Sequence, residues 1–150
     1  MFKYLKNKKG MTLVEVVISL IIMSLIAVSV SQLMVSFTTL YARVNSIAET
    51  NTIFDNISNE ILNDLREAKS VAINGDEIRI QKQMTTVKYD VHDERVRRNG
   101  ADVFKKEFYK NKTVGLSFEE NTGTVTFTIF LTSDGAEIDR SYVVRPLGMQ

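Results

Sequence analysis

The chain begins with mixed polar and basic positions, enters a long apolar stretch, and then changes its hydrophobic period twice. Across residues 16–37 nearly every side chain is apolar or small, and no charged residue lies between Glu15 and Arg43. As a helix, those 22 residues would span roughly 33 Å, against a bilayer hydrocarbon thickness of about 30 Å. One membrane crossing over 16–37 is therefore expected. Beyond it the pattern stays helical. Ile47, Phe54, Ile61 and Ala68 recur every seven residues, with Ile57 and Leu65 on the same face. Glu49, Asp55, Glu60, Asn63, Arg66 and Glu67 occupy the others. Neither glycine nor proline interrupts residues 11–70, so one continuous helix is predicted there. Its 59 residues from Met11 to Lys69 would measure about 88 Å, far more than a bilayer needs. The outer half must bury its apolar stripe against the rest of the chain.

After Ser70 the period falls to two. Ile78 and Ile80 alternate, as do Val87, Tyr89 and Val91, then Val114, Leu116 and Phe118, and then Val125, Phe127, Ile129 and Leu131. Asn74-Gly75, Asn99-Gly100, Asn121 to Gly123 and Ser133-Asp134-Gly135 punctuate the strands, and a last strand passes through Ile138, Tyr142 and Val144. The expectation is an α+β fold: one long N-terminal helix laid on an antiparallel sheet of about five to seven strands. Three segments follow, namely a basic leader at 1–10, the helix at 11–70, and a β-rich globular head at 71–150.

Charge adds direction to this picture. The chain has 19 basic and 18 acidic residues, a balance that by itself points to no polyanionic partner. Lys3, Lys6, Lys8 and Lys9 all precede Gly10 without an acidic neighbour; the remainder therefore holds 19 − 4 = 15 basic against 18 acidic side chains, a balance of −3. Lysines ahead of a single span keep the N-terminus cytoplasmic and export everything after it. Cysteine is absent, which removes disulfides, thiolate metal sites and cysteine nucleophiles. The single histidine, His92, sits in the turn-like His92-Asp93-Glu94. Neither a histidine-rich metal centre nor a cofactor is expected, and the chain reads as no enzyme. A cleavable secretory signal ending near Ser29-Val30-Ser31 is the competing reading of the N-terminus. Against it stand the length of the apolar run and an acidic residue at its start.

That residue, Glu15, is the most informative position, because an ionisable group at the edge of a membrane helix needs a partner or a purpose. Its surroundings supply one. The sequence Lys8-Lys9-Gly10-Met11-Thr12-Leu13-Val14-Glu15, followed by an uninterrupted apolar span, resembles the processing site of type IV prepilins. The resemblance covers about the first 35 residues and departs from the commonest pattern in having Met11 where phenylalanine usually follows the cut. It implies a leader recognised through Lys8, Lys9, Thr12 and Leu13, cleavage after Gly10 by a membrane prepilin peptidase, and N-methylation of the new terminus at Met11. It further implies a ladle-shaped pilin fold and storage in the bilayer. The partners implied are an inner-membrane assembly platform and other pilins or pseudopilins. Glu15 would serve assembly by meeting the terminal amine of a neighbouring subunit, although pairing within one subunit is also open. The helix ending Leu62-Asn63-Asp64-Leu65-Arg66-Glu67-Ala68 before successive hairpins resembles the J-type minor pseudopilin of type II secretion and its competence and pilus counterparts. Two features depart from Gram-negative major pilins: no cysteine pair closes a C-terminal loop, and Gln32 stands where many carry proline.

Two further groupings invite chemistry. Arg95, Arg97, Arg98, Lys105, Lys106, Lys110 and Lys112, interleaved with Phe104, Phe108 and Tyr109, would form a DNA-contacting strip if they shared a face. Strand alternation separates Arg97 from Arg98, and Asp93, Glu94, Asp102 and Glu107 dilute the charge, so a solvated sheet surface is expected instead. Asp134, Glu137 and Asp139 fall short of the 6 to 8 oxygen ligands that calcium takes, which predicts an acidic turn rather than a metal site. The rival functional reading is a single-pass membrane protein that does not polymerise and whose exported head binds a ligand such as DNA.

Overall fold

A run of 54 residues without glycine or proline, headed by a threonine and closed by a capture of its last carbonyls, forms α1, Leu13–Arg66, in the computed structural model. The structure describes residues 11–133 and 135–148. The chain divides into two units after Asn45.

The first unit is the apolar part of α1. Its large side chains are exposed throughout, from 42% at Val16 to 83% at Leu13. The segment is long and apolar enough to cross a membrane. Its many hydroxyls do not spoil this, because each turns back onto the helix. Ser19 donates to the Glu15 carbonyl at 2.8 Å, Ser24 to Ile21, Ser29 to Leu25, Ser31 to Ala27, Ser36 to Gln32 and Thr39 to Val35. A hydroxyl satisfied by a carbonyl one turn back leaves no unmet donor, which is what hydrocarbon requires.

The second unit holds the core. From residue 50 onward one stripe of α1 becomes buried, through Ile53, Phe54, Ile57, Ile61 and Leu65. Ile47, expected on that stripe, is instead 54% exposed, so the buried face begins about one turn later than the heptad pattern suggested. Among the described residues eight antiparallel strands follow: β1 Ser70–Asn74, β2 Glu77–Gln81, β3 Thr86–His92, β4 Arg95–Arg98, β5 Ala101–Asp102, β6 Thr113–Asn121, β7 Thr124–Ser133 and β8 Ala136–Val144. They do not make the single sheet of five to seven strands read from the sequence. They form a five-stranded sheet ordered β1-β2-β3-β4-β5 and a three-stranded sheet ordered β6-β7-β8.

The break has a local cause. Between β5 and β6 the alternation lapses, and a short 3-10 helix, Lys106–Tyr109, carries the chain across. Phe104 stacks on Phe108 with ring centroids 4.1 Å apart, Tyr109 is buried beside them, and Lys110 and Asn111 both take left-handed backbone angles. β6 therefore starts a new ladder instead of extending the old one. Within each ladder the register places apolar residues opposite one another, as with Ile80↔Val87, Ile78↔Tyr89, Leu116↔Ile129 and Phe118↔Phe127. All of these join the helix stripe in one core. Asn99-Gly100 and Thr122-Gly123 form tight two-residue connections with positive φ at both positions, the geometry that fits the twist of a hairpin.

The helix ends at Arg66, short of the expected residue 69. The amide of Lys69 is drawn away to the carbonyl of Gln81 at 2.8 Å, which starts the sheet. The carbonyls left behind are met by the C-terminal segment: the amide of Leu147 donates to Arg66 at 3.2 Å and that of Gly148 to Ala68 at 3.1 Å. Gly148 is needed for this approach, since a Cβ there would lie 2.7 Å from the Lys69 Cα and 2.8 Å from the Ala68 carbonyl oxygen. Gly148→Ala should therefore undock the terminal segment and lower stability by about 1–2 kcal/mol, roughly two net hydrogen bonds. Chemical denaturation of the full chain in detergent would show this as a lower midpoint. An unchanged midpoint would mean that the segment does not cap the helix.

Candidate processing and assembly site

Thr12 lies immediately before the first helical residue and Glu15 three positions further on, at the helix N-cap and N3 positions. The two residues satisfy one another. The Thr12 amide donates to Glu15 Oε2 at 2.8 Å, the Thr12 hydroxyl donates to the same oxygen at 3.0 Å, and the Glu15 amide donates to Thr12 Oγ1 at 3.3 Å. This is a capping box, in which two amides that a helix N-terminus would leave unmet are bonded reciprocally. The first intrahelical bond, from the Val16 amide to the Thr12 carbonyl at 3.2 Å, closes the turn. Negative charge in the first turn also complements the positive end of the helix dipole. Among the described residues, no cation lies within ion-pairing distance of Glu15. Its hydrogen bonds come from Thr12.

Of the residues singled out from the sequence, the structure thus brings Thr12 and Glu15 into contact. Met11 is 73% exposed and precedes the helix, and Leu13 opens it with its side chain in the open. Gly10, Lys8 and Lys9 lie outside the described residues. The capping role was readable and was missed: Thr12-Leu13-Val14-Glu15 before an apolar run is a Ser/Thr-x-x-Glu signature.

A second polar constellation, in the head, was not anticipated. Asp64, on the otherwise apolar face of α1, is buried and receives the Tyr89 hydroxyl at 2.7 Å, Arg98 Nε and Nη2 at 2.9 and 3.1 Å, and Lys82 Nζ at 2.5 Å. Burial pushes the carboxyl up, but the hydrogen bonds from Arg98, Lys82 and Tyr89 outweigh it and hold Asp64 below the usual carboxylate range. Burial first, and then the Asp64 carboxylate, drives the Tyr89 hydroxyl far above an ordinary phenol. The Asp64 hydrogen bond is the main reason Lys82 and Arg98 bind their protons more tightly. The arrangement ties β3, β4 and the residue that follows β2 to the helix, and no buried side-chain polar atom is unmet among the described residues.

The same contacts dismantle the basic strip. Arg95 pairs with Asp102, Arg97 forks onto Asp90 at 3.0 and 2.9 Å, and Arg98 is bound to Asp64. Phe104 and Phe108 are partly buried against the core and Tyr109 is buried with its hydroxyl on the Val96 amide, so none of the three offers a free face for stacking on bases. His92 Nδ1 lies 3.3 Å from Asp93 in an exposed turn. Glu137 and Asp139 are exposed on β8, while Asp134 lies outside the described residues. Among the described residues, no group of three or more metal-ligating side chains comes together.

Comparison with known proteins agrees with the geometry at the helix start. No curated protein and no solved structure matches the chain. Residues 5–31, which contain the capping box and most of the apolar stretch, match the family model described as the prokaryotic N-terminal methylation motif. The match spans 27 of the 150 residues and supports a type IV pilin-like protein carrying a prepilin-type N-terminal segment.

Proposed function

We propose that the chain is a minor pilin or pseudopilin, a structural subunit of a type IV pilus, type II secretion or competence filament. It is inserted as a precursor with the lysine-rich leader on the cytoplasmic side, cut after Gly10, and methylated on the new amine of Met11. Residues 16–37 hold it in the bilayer before assembly and form the filament core afterwards, while the head is exported. The observation that carries this reading is the methylation motif at residues 5–31, coinciding with a capped helix whose apolar first part is exposed and whose first turn holds a carboxylate with no ion-pair partner among the described residues. A peptidase cut would place an ammonium one residue ahead of the capping box. Two opposite charges near hydrocarbon attract far more strongly than they would in water. The helix cap and the assembly contact would thus share one side chain: Thr12 holds the Glu15 carboxylate at the helix mouth, and the amine of a neighbouring subunit completes it.

Inactivating the prepilin peptidase of the host tests the reading. The chain is expected to keep its leader, remain in the membrane fraction, and vanish from sheared filaments. Equal recovery in the filament fraction with and without the peptidase would overturn it.

A further inference from the structure

The head carries a cleft that the filament reading does not use. About 240 Å³ in volume, it lies between the β3–β4 turn and the start of β6, and its lining includes Asp93, Glu94, Arg95, Lys106, Tyr109 and Lys112. Lys112 is the unusual member. It is only 9% exposed, and among the described residues its ammonium makes no hydrogen bond and no ion pair. No buried side-chain nitrogen or oxygen is left without a partner among those residues, so the ammonium still touches solvent, and the cleft that Lys112 lines is its way out. The stem of Lys112 is covered while its ammonium is met in the cleft by solvent and by no ion-pair partner among the described residues, and an anion bound there would replace that solvent with a charge-assisted hydrogen bond.

The neighbouring charges define what would. Arg95 is engaged by Asp102 and lies 3.7 Å from Asp93. Lys106 is exposed and, among the described residues, has no ion pair. Two lysines therefore remain open to a shared anion. The walls are fixed by two backbone corners with positive φ at non-glycine residues, Asp93 and Glu94 on one side and Lys110 and Asn111 on the other. The volume is below the roughly 300–1,000 Å³ of pockets for drug-sized ligands. The Asp93 and Glu94 carboxylates beside it oppose an extended polyanion. Both facts select a small anion over a nucleic-acid backbone.

We propose that this cleft binds a single compact oxyanion, a carboxylate or phosphate group, with Lys112 as its principal cation and Lys106 as the second. The inference stands apart from the filament reading and survives or fails without it. Backbone amide NMR of the full chain in detergent micelles, titrated with acetate or with inorganic phosphate at constant ionic strength, tests it. At least one arm should give saturable shifts confined to residues 93–96 and 110–113, and the arm that does so identifies the group. Lys112→Met, which keeps the aliphatic stem, should weaken the binding about tenfold or more, the scale of a lost charge-assisted hydrogen bond. Lys112→Arg should retain it. Absence of saturation in both arms, or unchanged affinity in Lys112→Met, would overturn the proposal. So would a duplex oligonucleotide that produced the same shifts at lower concentration than either anion.

Discussion

Glu15→Gln is expected to reduce filament yield at least tenfold while leaving the helix start and the head intact. Glutamine retains an acceptor for the Thr12 amide and is itself an N3 residue of capping boxes, so the variant removes charge without removing the cap. What it loses is attraction to an ammonium. At about 4 Å and an effective dielectric of about 20, two unit charges attract by about 4 kcal/mol, and roughly 1.4 kcal/mol is already a tenfold change in subunit affinity. Glu15→Ala should lower the yield similarly and also fray the first turn. Thr12→Ala, which removes the hydroxyl that bridges both partners, costs about 1 kcal/mol of capping and should give an intermediate loss. Filament recovery by shearing and immunoblot separates these outcomes. Wild-type yield from Glu15→Gln would reduce Glu15 to a helix cap and remove the ammonium from the account.

The second large effect belongs to the head. Asp64→Ala leaves Tyr89, Arg98 and Lys82 without their shared acceptor. Removing one partner of a buried ion pair costs about 3–5 kcal/mol. Arg98 and Lys82 are partly exposed and regain some hydration, which places the expected loss near the lower figure. The pH dependence has a definite sign. The folded pKa of Asp64 is depressed, so its contribution is present in full above the ordinary aspartate value of about 3.9 and is lost as pH falls through the lower folded value. The gap between wild type and Asp64→Ala in denaturant midpoint should therefore be widest near neutrality and close on strong acidification. A gap of equal size at neutral pH and well below the folded pKa would show that the loss comes from packing and not from charge.

The two constellations differ in how far the sequence reveals them, and the reason is range. Everything at the N-terminus is local: the capping signature occupies four consecutive residues, and the apolar run is a property of composition. The Asp64 cluster is not local. In Leu62-Asn63-Asp64-Leu65-Arg66-Glu67 it reads as one more charge on a solvated helix, and only a pairing with Arg98, 34 positions away, shows it to be interior. The strands themselves were visible from their alternation, including Val125, Phe127, Ile129 and Leu131. Their division into two sheets was not, because it depends on how Phe104, Phe108 and Tyr109 pack between β5 and β6. The helix end slipped from 69 to 66 for a similar reason. Lys69 hydrogen-bonds Gln81, a partner no helix-stop rule contains. The basic strip was expected to be a solvated sheet surface, and what alternation alone did not show is that each of its arginines is claimed by a particular carboxylate, Asp102, Asp90 or Asp64.

The processing step underlies the whole account, since the leader must leave before the Met11 amine exists. Intact-mass spectrometry of the chain purified from its native membrane reads that step directly. The account predicts a mature species that starts at Met11 and is heavier by a single N-methyl group. A chain that starts at Gln32, or one that keeps all of residues 1–10, would contradict it.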